Sequence, residues 1–123
     1  MKITSTIAQY LLGLIFLTFG LNGFLHFIPM PPPTGVAGQF FGALFVSRFY
    51  VVIFALQIVP AVLLLANRYV PLALTILGPV IVNILCFHIF MAPAGLPLAV
   101  VVTGLWSLAT WRVRSAFTGI LQR

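Results

Sequence analysis

The chain has 123 residues, 63% of them hydrophobic and only 5% charged, with a mean hydropathy of +1.25. Its net charge of +6 comes from Lys2, Arg48, Arg68, Arg112, Arg114 and Arg123, and it contains no Asp or Glu. This composition argues against a water-soluble domain and excludes, within the chain, carboxylate proton relays, paired-carboxylate acid–base chemistry and carboxylate metal sites.

The expected fold is an all-α membrane protein: a four-transmembrane-helix bundle with a short interfacial helix between spans 1 and 2, forming a single integral membrane domain over residues 1–123. The first span covers about 3–27. Lys2 before an apolar run resembles a signal peptide, but the run from Ile7 to Ile28 exceeds an ordinary h-region and no A-x-A site follows, so it reads as a retained span. The prolines of "IPMPPP" end it.

Next, Ala37, Phe40, Phe41, Leu44 and Phe45 recur at helical spacing, predicting an interfacial helix over about 35–47 with Thr34 as N-cap. The second span covers about 49–66, and "NRYVP" turns the chain into a third span over about 70–91. "APAGLP" leads into the fourth span, about 96–111, and the tail "RVRSAFTGILQR" extends along the surface.

The cations lie at the ends of apolar runs rather than on one face, so they read as topology signals and contacts to anionic lipid, not as a nucleic-acid surface. With four spans, Lys2, Arg68, Arg112, Arg114 and Arg123 share one side, against Arg48 alone on the other. The positive-inside rule then makes both termini cytoplasmic and turns the Pro-rich loop outward. Tyr50, Tyr69 and Trp111 fall where an aromatic belt is expected. Gly13 and Gly20 form a small-residue face suited to close helix approach.

The polar residues inside the spans mark where to look for function. Thr18, Asn22 and His26 are spaced to share one face of the first span, Gln57 lies midway down the second, and Asn83 sits in the third. Asn22, His26, Arg48, Gln57 and Asn83 are the candidate ligand-binding residues, with Arg48 at the mouth of the site. Asn83 and His88 are about 140° apart around a helix, so a straight span aims only one inward, and Asn83 is the choice because His88 can reach the interface.

The bland alternative is that these groups only bond neighbouring helices, with Gln57 serving a carbonyl freed by Pro60 or Pro79. No catalytic residue is assigned. Neither histidine has a carboxylate to orient it as a base, and the lone Cys86 reads as a small buried hydrophobe that can form no internal disulfide. Zinc lacks ligands, and bis-histidine haem has only His26 and His88 in its favour.

The segments "LLGLIFLTFGLNGFLHF", "GQFFGALF", "ANRYVPLAL" and "FMAPAGLPLAVVV" give the chain a resemblance to the DoxX-like family of small four-span bacterial membrane proteins. The resemblance spans about 3–119 and rests on apolar runs punctuated by glycine and proline. It implies residence in the cytoplasmic (inner) membrane, association with other membrane subunits and a link to quinone-dependent redox systems, with a quinone as the implied ligand. The position after the Phe-Gly step is often basic in that family, whereas Asn22 stands near it here, so no family site transfers. The leading expectation is an accessory subunit with a polar pocket near the outer leaflet. Alternatives are a structural or assembly subunit working through the Gly13/Gly20 face, and a binder of lipid or small apolar solutes.

Overall fold

The computed structural model describes residues 2–29 and 31–121, and the described residues are all-helical apart from turns and loops. The elements are α1 (Lys2–Leu25), α2 (Gly35–Ser47), α3 (Tyr50–Ala66), α4 (Val70–Phe90) and α5 (Leu96–Arg112). Short 3-10 segments follow α4 at Pro93–Gly95 and α5 at Arg114–Leu121. Both α1 and α4 pack against α3 and α5, so these four helices form a square bundle with α1 and α4 at opposite corners.

Three helical stretches are long and apolar enough to cross a membrane, and α2 with α3 supplies a fourth if that pair, bent by 91°, counts as one span. The outward stripes are apolar as well: Ile3, Ile7, Leu11 and Leu14 on α1, and Val52, Leu56, Val59 and Val62 on α3, are exposed. A helix in water carries polar residues there, so this is the pattern expected of helices bathed in lipid.

Packing is concentrated at the end of the bundle that holds the N-terminus. Leu12, Leu64, Leu74 and Leu77 are fully buried, and Phe16, Ala61, Val70, Ala73, Ile81, Val102 and Ala109 complete one core. Every buried residue of α4 lies between Val70 and Ile81, and none lies in its last nine residues. The other end of the bundle is held open, and α2 crosses it. A chain of aromatic contacts fixes α2 there: Phe45 stacks on Tyr50 with ring centres 4.6 Å apart, and Phe40 and Phe41 meet Phe87 at 5.5 and 5.3 Å.

Several sequence expectations change in detail. Helix α1 stops at Leu25 and His26 adopts φ 52°, so the Thr18/Asn22/His26 stripe loses its last member. Asn22 secures the stop: the His26 N–H still makes the helical bond to its carbonyl at 2.8 Å, but its side-chain Oδ1 takes the Ile28 N–H at 2.8 Å, beyond the left-handed His26. Thr18 is exposed while Asn22 is buried. Thr34 occupies the N-cap position of α2, but its hydroxyl makes no cap; its carbonyl takes the Gly38 N–H at 3.2 Å. The Gly13/Gly20 face is not free, because α3 covers it: a Cβ on Gly20 would stand 2.7 Å from Ile58 Cγ1, and one on Gly13 3.0 Å from Leu65 Cγ.

Candidate functional site

The open end holds a half-open cavity of about 670 Å³, walled by α1, α3, α4 and α5, roofed by α2 and reaching the outer surface where Val52 and Leu56 of α3 and Asn83 and Cys86 of α4 are exposed. That volume falls within the range of small-molecule sites. Its wall is overwhelmingly apolar, with Phe16 and Phe19 from α1, Phe40 and Phe41 from α2, Phe54 from α3 and Phe87 from α4. The polar side chains on it are few: Gln57, Asn83 and His88, with the thiol of Cys86 at the edge. No charged side chain borders it among the described residues.

Helical rise gives these groups their depth. Gln57 lies seven residues from the first residue of α3 and Asn83 seven from the last residue of α4, so both stand about 10 Å below the open ends of their helices. His88 lies five residues beyond Asn83, about 7 Å nearer the mouth. Gln57 is only 7% exposed. The buried and half-buried side-chain bonds that hold the bundle run from Gln9 to Leu64 O, from Ile28 N–H to Asn22, from Trp106 to Leu74 O and from Arg112 to Thr6. Among the described residues none of them involves Gln57 or Asn83, so both amides on the cavity wall, Gln57 buried and Asn83 exposed, keep donors and acceptors to spare.

His88 is held differently. Its Nδ1 lies 3.1 Å from the Ala92 carbonyl, and its ring lies so close to Gly95 that a Cβ there would stand 2.3 Å from Cε1. The "APAGLP" turn therefore folds over one edge of the imidazole, and glycine is the residue that permits it. Asn83 and His88 both border the cavity despite their angular separation, because its wall wraps from α3 around α4 to Leu98, Ala99 and Val102 of α5. A pocket facing a single side of a straight α4 would admit only one of them.

The candidate residues thus separate. Gln57 and Asn83 line the cavity. Asn22 is buried near the end of α1, and His26 is exposed with its ring 5.6 Å from that of Phe45. Arg48 is exposed at the α2–α3 corner, with φ 63° and its N–H on the Phe45 carbonyl. None of these three is on the cavity wall. Cys86 is exposed rather than buried. Among the described residues no three of His, Cys, Asp and Glu come together to hold a metal.

The end of the bundle that holds the N-terminus contains a polar cluster that the sequence did not flag. Gln9, 1% exposed, donates to Leu64 O at 2.9 Å and to Asn67 Oδ1 at 3.0 Å. Arg112 donates to Thr6 Oγ1 at 3.0 Å and reaches Asn67 Oδ1 at 3.5 Å. The cluster ties the start of α1 to the α3–α4 turn and the end of α5. A faint signal was the helical spacing of Gln9 from Ser5, Leu12, Gly13 and Phe16, at i−4, i+3, i+4 and i+7, all of which turn inward.

No protein-family profile, curated protein or solved structure matches the chain.

Proposed function

We propose that the chain is an integral protein of the cytoplasmic membrane whose open half receives an apolar small molecule with a polar head, and that it serves as an accessory subunit rather than as an electron carrier. The observation that carries this reading is the cavity of about 670 Å³ with aromatic walls and two unbonded amides, Gln57 and Asn83. Such a site suits a flat or chain-like apolar body whose oxygen atoms take hydrogen bonds. A quinone is the class that fits both this chemistry and the resemblance to DoxX-like proteins. Electrons come from a partner, since one cysteine, two histidines and no carboxylate provide no redox centre of their own.

The positive-inside rule orients the protein with its termini in the cytoplasm and the cavity in the outer half of the bilayer. Gln57 and Asn83 hold the head group. Asn22, His26 and Arg48 support the roof from outside, Asn22 by ending α1 and Arg48 by turning α2 into α3. The assembly-subunit reading loses the surface it invoked, because Gly13 and Gly20 are packed against α3.

Mass analysis of small molecules and chains that leave the membrane with the purified protein tests the proposal. The expected result is a bound quinone or similar amphiphile that is lost in Gln57→Leu/Asn83→Leu while the helical content stays unchanged. An empty wild-type protein that also fails to bind added short-chain quinone overturns it.

A further inference from the structure

We infer that His88 Nε2 is the hydrogen-bond acceptor for a hydroxyl group of the cavity ligand, so that the site prefers the hydroxyl-bearing form of an oxygenated ring to its carbonyl-only or ether form. The inference rests on the proposed ligand site and names the chemistry of that ligand.

A carbonyl oxygen only accepts, so the contact of Nδ1 with Ala92 O at 3.1 Å requires the proton on Nδ1. In a neutral ring Nε2 is then unprotonated and can only accept. Gly95 packs on the Cε1–Nδ1 edge more closely than on Nε2, which holds the ring in the orientation of the Nδ1–Ala92 contact and leaves Nε2 as the ring nitrogen without a partner where His88 borders the cavity. A quinone carbonyl or an ether oxygen offers Nε2 no hydrogen. A phenolic hydroxyl does.

The amides deeper in the cavity do not discriminate in this way, since a carboxamide both donates and accepts. Asn83 lies about 7 Å below His88 along α4, far enough that one apolar ring separates the two levels. The ligand therefore carries oxygen at both ends of its ring: a hydroxyl at the mouth on His88, and a hydroxyl or carbonyl below on Gln57 and Asn83. Selection falls at the mouth.

The test is anaerobic binding of three probes to the purified full-length protein in lipid nanodiscs: a short-chain alkyl hydroquinone, its dimethyl ether and the matching quinone. The hydroquinone is expected to bind about tenfold more tightly than the other two, the size of one buried hydrogen bond gained or lost. His88→Leu should bring the three affinities within about twofold of one another while leaving that of the ether near wild type. Gly95→Ala should reduce the preference in the same way without removing the imidazole, because the added Cβ forces the ring off its seat. Equal binding of hydroquinone and ether to the wild type overturns the inference and leaves the cavity reading intact. Failure of all three probes to bind overturns both. Retention of the preference in His88→Leu overturns the assignment to His88.

Discussion

At the scale of single residues, the glycines of α1 show how a small side chain sets the distance between two helices. The Phe54 ring lies against Gly23, so a Cβ there would stand 2.3 Å from Phe54 Cγ, too close for the ring to stay in place. Gly23→Ala is expected to lower stability by about 1–3 kcal/mol, the usual cost of overpacking. Gly42→Ala is the matched control: nothing lies within 4 Å of its Cβ position, and the change should stabilise α2 by about 0.5–1 kcal/mol. Thermal unfolding in detergent, followed by circular dichroism, separates the two signs. The spacing of Gly13 and Gly20 was legible in the sequence as a contact face. That the face belongs to α3 of the same chain was not, because small-residue stripes serve contacts within and between chains alike.

At the scale of elements, the two ends of the bundle are held by different chemistry. At the N-terminal end Gln9, with its two bonds, joins α1 to the end of α3 in a fully packed setting. Gln9→Leu keeps the volume and loses both, so an expected cost of about 1–3 kcal/mol appears as a lower unfolding midpoint, with ligand affinity unchanged because the site is at the other end. At the open end the corner between α2 and α3 depends on backbone geometry. Arg48 takes the left-handed conformation that ends α2, and Ser47 Oγ accepts the Phe49 N–H at 3.2 Å. Glycine suits that conformation better than arginine. Arg48→Gly is therefore expected to leave both stability and probe binding within about 0.5 kcal/mol of wild type, whereas a role for the guanidinium at the mouth would cost affinity. The element boundaries were legible because prolines and turn residues punctuate the apolar runs. The partners of Gln9 and Arg112 were not, since a lone amide or guanidinium gives no hint along the chain of which distant carbonyl or hydroxyl it will meet.

At the scale of the whole molecule, the contrast between a packed half and an open half follows from the distribution of small and large side chains. Leucine and alanine interdigitate from Leu12 to Phe16, Ala61 to Leu64 and Val70 to Leu77, while phenylalanines dominate the other half and prop α2 across it. Hydropathy sees both halves as equally apolar, which is why the apolar helices were legible and the cavity was not. The proposed placement of the two halves in a bilayer rests on charge. Tyr69 and Trp111, exposed at the packed end, and Arg114, 4.2 Å above the Trp111 ring, make that end an aromatic and cationic belt. In a Cys86→Ala background, a membrane-impermeant maleimide applied to intact spheroplasts is expected to label Pro32→Cys and to spare Arg68→Cys until the cells are opened. The reverse pattern would put the cavity in the inner half of the bilayer and break the charge argument. Labelling of both from outside would mean that the α3–α4 turn and the Pro-rich loop share a side, which an α3 that crosses the membrane cannot allow.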